Sequence, residues 1–329
     1  MKYIKISILA LVVALLACNG NKTKNVEDNS KLTDVTVAQW GQEKYLIYLP
    51  FYLAQERGFF KEQGLDIKVK YSGNDDQVFA TVLKGEALLG IGDPIFTAIA
   101  RENGAKGKVV ASIVDGVSIW GVTKKDIPFI QRPIDLKGLK LGTFPAPSTV
   151  FTLMQNTIND NKLEDTKIVQ APIGSQIALI ENGSVDIAME LEPGASLAES
   201  QGYKVVYSAA QFYGPFAFTG VTTTEENITK NKETIQKFVN ALEQALVFAR
   251  NSPDETIKTA QSLFPNLDKE VVANAVNRMI KDKTIPITTT MSDESWQNAM
   301  KIRYQMGDIK EIKPTIDAVD NSFAKKAVK

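Results

Sequence analysis

The chain reads as an α/β protein of two similar lobes, each a mainly parallel sheet flanked by helices, with a helical extension at its C-terminal end. Three observations carry that reading. Short apolar strands alternate with segments of helical period, the pattern of parallel sheets joined by right-handed crossovers. A motif occurs twice, Gly85 to Pro94 and Gly183 to Pro193, the second copy with an extra residue before the proline. From about Asn231 only helical periods remain.

In order, Val35 to Trp40 is a strand and Tyr48 to Gly58 a helix that stops on a glycine. After a turn ending at Gly64, Asp66 to Tyr71 alternates polar and apolar residues, as a half-buried strand does. Val78, Phe79, Val82 and Leu83 recur at helical spacing, Leu88 to Gly92 is a short buried strand, Asp93-Pro94 opens a helix, and Val109 to Val114 is again a strand. The second copy follows the same plan: strand Leu139 to Phe144, a helix from Ser148, the repeated motif, and a Lys-Val-Val strand at Lys204 that echoes the one at Lys108. Ser118 to Thr123 and Phe216 to Thr223 are apolar and extended, suited to be paired strands crossing between the lobes. The final helices are expected at Thr234 to Ala249, Asp254 to Phe264, Asp268 to Lys281 and Asp293 to Met306, covering the first lobe. The expected division is 34–118 with 222–329 for the first lobe and 119–221 for the second.

The N-terminal segment has its own logic. Lys2 and Lys5 precede an aliphatic run from Ile6 to Ala17, and Leu15-Leu16-Ala17-Cys18 follows, so residues 1–17 read as a secretory signal. The run is shorter than the roughly 20 apolar residues that span a bilayer. The tetrapeptide resembles the bacterial lipobox, whose cysteine is acylated and becomes the mature N-terminus. Cys18 is therefore the expected lipidation site, and 18–33, rich in Asn, Lys, Asp, Ser and Thr, the expected flexible tether.

Composition excludes several functions. The chain holds 38 Lys and Arg against 38 Asp and Glu, and loses two lysines with the signal for a net charge of −2, which argues against nucleic acid. One cysteine forbids an intramolecular disulfide. The absence of histidine removes Ser-His-Asp catalysis, His-ligated zinc and imidazole acid–base chemistry. No metal and no cofactor are expected.

The run from Leu49 to Asp66, LPFYLAQERGFFKEQGLD, resembles the opening signature of the type II solute-binding proteins of ABC importers, in the branch for nitrate, sulfonates, taurine and thiamine-precursor pyrimidines. Asp135 to Gly142 resembles that family's entry into its second lobe, as does the Gly-x-x-Asp at Gly183 to Asp186. One departure is Leu88, where the family usually carries aspartate. The resemblance implies the type II periplasmic-binding-protein fold. It also implies a monomeric extracytoplasmic receptor, lipid-anchored to a membrane, that closes two lobes on a small-molecule solute and delivers it to an ABC permease with its cytoplasmic ATPase. It implies no enzyme: fungal pyrimidine synthases of this fold use a histidine of their own chain. A sensor lipoprotein without transport is the other alternative, which a neighbouring permease gene would disfavour.

In open α/β sheets ligands bind beyond the carboxyl ends of strands. There stand Trp40 and Gln42, followed by Tyr45, with Trp40 suited to stack on a planar ligand. Asp93 serves equally well as helix cap or ligand contact, and Ser118 and Trp120 flank the first crossing strand. Ser148 and Thr149 open a helix whose backbone N–H groups favour anions or polar acceptors. Glu190 and Glu192 are expected to accept hydrogen bonds from an amine or ring N–H, whichever faces the cleft, and Tyr213 and Phe216 to close over the ligand. No arginine falls in these loops. Aromatics with two acids point to a neutral or cationic planar heterocycle, such as an aminopyrimidine or related vitamin precursor, rather than a sulfonate, taurine or nitrate.

Overall fold

The computed structural model describes residues 31–327. Cys18, the 1–17 signal and all but the end of the 18–33 tether lie outside the described residues. The strands are β1 (Thr33–Gln39), β2 (Leu65–Tyr71), β3 (Leu89–Gly92), β4 (Gly107–Asp115), β5 (Trp120–Thr123), β6 (Lys140–Thr143), β7 (Lys167–Gln170), β8 (Ile187–Glu190), β9 (Lys204–Ser208) and β10 (Ala217–Thr224). They form two five-stranded sheets flanked by helices, of order β2-β1-β3-β10-β4 and β7-β6-β8-β5-β9.

The two orders match position for position. In each, the fourth place is an antiparallel strand among strands of the opposite sense: β10 runs against β3 and β4, and β5 against β8 and β9. β5 follows directly on β4 of the first sheet, and β10 comes from the half that holds β9. The crossing segments therefore do not pair along their length as expected. Each is apolar because it becomes an interior strand of the sheet it enters, and β5 and β10 are buried almost throughout. The connections meet where the Gly116 amide donates to the Phe216 carbonyl at 2.8 Å. All of β10 lies in the first sheet, so residues 217–221 pair there rather than in the second lobe.

The C-terminal helices Lys232–Asn251, Pro253–Leu263, Lys269–Lys281 and Asp293–Gln305 pack on the first lobe, and the last two also touch the second through helices Gly194–Ser200 and Thr149–Asp160. Aromatic stacking fastens the first of them, with the Phe60 and Phe238 rings 4.9 Å apart and Phe51 against both. Among the described residues no helix is long and apolar enough to cross a membrane.

Candidate ligand-binding site

The carboxyl ends of the two sheets face a cleft with an inner cavity of about 40 Å³ and a mouth of about 600 Å³, and Trp40 lines both. The inner part alone is far smaller than the roughly 300–1,000 Å³ of small-molecule sites. Trp40 follows β1, and its ring is held by Tyr45 at 4.9 Å and by the edge of Tyr48 at 6.4 Å. Phe144 follows β6 at the corresponding place in the second sheet and also lines the inner cavity.

Asp93 follows β3 and joins three parts of the molecule. Its Oδ1 accepts the Ile95 amide at 2.9 Å, the capping role read from Asp93-Pro94. Its Oδ2 accepts the Thr149 hydroxyl of the second lobe at 2.6 Å and Arg303 Nη2 at 3.0 Å. Arg303 lies on the helix Asp293–Gln305, also donates to Thr152 and Asp308 at 2.9 Å each, and sits 5.2 Å over the Phe96 ring. Both partners of the Asp93–Arg303 pair are 4% exposed. Asp75, first residue of the helix Asp75–Leu83, accepts the Asp93 amide on Oδ1 at 2.7 Å. This approach needs glycine at 92, where a Cβ would lie 2.9 Å from that oxygen. Burial, then the Asp93 charge, push the Asp75 carboxyl up to about 7.

Of the expected site residues, Trp40, Asp93, Ser148 and Thr149 line the inner cavity, and Trp40, Gln42 and Tyr45 the mouth. Ser148 is a helix cap, its Oγ accepting the Phe151 amide at 3.4 Å.

The other six line neither space. Glu192 is fully buried, its Oε1 taking Arg278 Nε at 2.7 Å and the Ser196 hydroxyl at 2.9 Å, its Oε2 the Ser196 amide at 3.0 Å. Glu190 pairs in register with Trp120, on the sheet face toward the C-terminal helices. It lies against Gly194, and burial, then the charge of Glu192, push its carboxyl up to about 8. Trp120 is buried because β5 is an interior strand, and its Nε1 donates to Asp282 at 2.7 Å. Ser118 is buried in the connection, where its neighbour Ile119 reaches the cavity instead. Tyr213 packs behind the helix Thr149–Asp160, its hydroxyl 2.5 Å from that of Thr157. Phe216 is buried beside Gly116 at the crossing.

Site residues outside the expected set are Asp75, Tyr48, Phe144, Leu191 and, behind Asp93, Arg303. Asp75 was discoverable from Gly73-Asn74-Asp75, a loop at the carboxyl end of β2. Arg303, 210 residues from its partner, left no local signal. Among the described residues no group of His, Cys, Asp or Glu is placed to hold a metal ion.

Among relatives, YtlA of Bacillus subtilis (strain 168), provisionally named a binding protein, is 24% identical over 325 residues, covering 96% of this chain and 94% of its own. The riboflavin-binding protein RibY of Chloroflexus aurantiacus is 22% identical over 265 residues, covering 79% and 72%. The 4-amino-5-hydroxymethyl-2-methylpyrimidine phosphate synthase THI13 of Saccharomyces cerevisiae is 23% identical over 237 residues, covering 68% and 69%. In fold, the alkanesulfonate-binding protein SsuA from Xanthomonas axonopodis pv. citri, bound to MOPS, superimposes with a TM-score of 0.67 at 16% identity, covering 89% of this chain and 99% of that one. Residues 47–256 match the model of the family described as NMT1/THI5 like, and with most of both lobes inside that match the chain belongs to the NMT1/THI5-like family.

Proposed function

We propose that this protein is an extracytoplasmic receptor, lipid-anchored through Cys18, that traps a planar heterocycle between its lobes and delivers it to an ABC permease. The division into lobes at 34–118 with 222–329 and 119–221, with the second crossing moved to Ala217, is part of this reading. The observation that carries it is the cleft between two matching sheets, with Trp40, Tyr48 and Phe144 on its walls and carboxylates at its inner end. Aromatic walls suit a flat ring. Arg303, the cation behind the inner cavity, is engaged by Asp93 and Asp308, so it offers little positive charge to a sulfonate. RibY by its name binds riboflavin, a flat ring system, which supports the same class. The lack of histidine supports binding rather than synthesis.

The test is a thermal-shift screen of the mature chain with riboflavin, 4-amino-5-hydroxymethyl-2-methylpyrimidine and MOPS. A ligand at about 100 times its dissociation constant adds about 2.7 kcal/mol of stability. A flat-ring ligand should raise the melting temperature, and Trp40→Ala should cost about 1–3 kcal/mol of its affinity. Binding of MOPS alone overturns the heterocycle. Cys18→Ser should abolish recovery in the membrane fraction; unchanged membrane association and processing would refute the anchor.

A further inference from the structure

Asp75 and Asp93 both line the inner cavity, and their oxygens are used differently. Both oxygens of Asp93 are taken within the protein, by Ile95, Thr149 and Arg303. Asp75 gives Oδ1 to the Asp93 amide, and no group among the described residues donates to its Oδ2. Asp75 is half-buried and shares a mostly apolar cavity wall with Trp40, Tyr48, Ile47 and Phe144, so that oxygen stays accessible from the cavity. A ligand N–H placed against it makes a charge-assisted hydrogen bond in surroundings of low polarity, which are more favourable to such a bond than open water.

We propose that Asp75 is the specificity-determining residue of the cleft, accepting a ring N–H or amino group of the ligand on its free oxygen and turning away anions. This inference rests on the receptor reading above and refines it. Two carboxylates and one guanidinium meet at the inner end, so the balance there is negative when both acids are ionised, and a sulfonate would enter against like charge. The raised titration of Asp75 fits the same geometry: a donor ligand favours its ionised form and should bind better above neutral pH than below it. The charged groups acting on Asp75 are Asp93, Asp76 and Arg303.

The test compares 4-amino-5-hydroxymethyl-2-methylpyrimidine with the same ring lacking the amino group, and with MOPS, by calorimetric titration of the mature parent chain and of Asp75→Asn. An amide keeps an oxygen for the Asp93 N–H while removing the charge. The amino compound is expected to bind the parent about 10- to 100-fold more tightly than its amino-free analogue, with MOPS inert, and Asp75→Asn should erase most of that gap. Equal binding of the two rings, or tighter binding of MOPS, overturns the role of Asp75 while leaving a receptor. A gap that survives in a folded Asp75→Asn protein also overturns it. If that variant does not fold, Asp75→Ser, which also removes the charge and keeps a hydrogen-bonding oxygen, carries the same comparison. Failure of these probes and of riboflavin to bind the parent overturns the heterocycle reading and this inference together.

Discussion

The two lobes carry the same motif, yet only the first puts carboxylates on the inner cavity. With Gly85 aligned on Gly183, Gly92 falls on Glu190 and Asp93 on Leu191, and both Asp93 and Leu191 line the inner cavity. Glu192 is the additional residue, and one step along the chain carries its acid away from the cleft, to Arg278 behind the sheet. The first lobe therefore places both carboxylates, Asp75 and Asp93, on the cavity beside Trp40 and Tyr48, while the second presents no charge there, only Phe144, Val150 and Leu191 with the hydroxyls of Ser148 and Thr149. Both acids before proline are neutralised by an arginine from the C-terminal helices, Asp93 by Arg303 and Glu192 by Arg278. Position in the repeat, not the presence of an acid, decides which group lines the cleft.

The largest effects should come from the two arginines. Arg303→Met and Arg278→Met each strand a buried carboxylate, with an expected loss of about 3–5 kcal/mol in urea unfolding. Only Arg303→Met should also change ligand affinity, because only Asp93 is on the cleft. An affinity change in Arg278→Met would break the distinction between front and back.

Next is Glu190, whose counterpart in the first lobe is glycine. Its carboxyl is raised in the folded protein to about 8 from the ordinary 4.5, so between those values the folded chain holds more protons than the unfolded one and stability falls as pH rises. Glu190→Gln removes that term, and should stabilise the protein by about 1–3 kcal/mol at pH 9 and hardly at all at pH 5. Asp75 contributes a slope of the same sign, which the parent-minus-variant difference cancels. A pH-independent difference would show that Glu190 is not the buried acid described.

The smallest effect belongs to Thr149→Val, which removes the hydroxyl linking the lobes through Asp93. A bond to a charged acceptor is worth about 1.5–3 kcal/mol, part of which water at the opened cleft recovers. Small-angle scattering should show a larger radius of gyration for the variant; an identical radius would mean that other contacts hold the lobes together.

The alternating elements were legible because each follows from periodicity and a capping or stopping residue. Thus Gly58 and Gly85, both at positive φ, end their segments as expected, and Ser148 caps its helix. The strand β7, KIVQ with two exposed polar ends, and the helix Gln176–Glu181 are too short to stand out by period. Trp40, Asp93 and Thr149 were readable as strand-end or helix-start residues. Glu192 was not, since a side chain's face depends on register, and register shifts with one inserted residue. Arg303 was out of reach because its role arises only when distant helices pack.

The exchange of β5 and β10 has a consequence for how this chain comes into being. Gly90 and Thr222 are neighbours in one ladder although 132 residues separate them. Synthesis delivers β3 and β4 long before the strand that fills the space between them, and until then both present unpaired edges. Closing so large a loop is slow, so the early half of the chain has to wait, uncommitted, for the late half. The first sheet therefore cannot be completed until β10, which ends at Thr224, has been made.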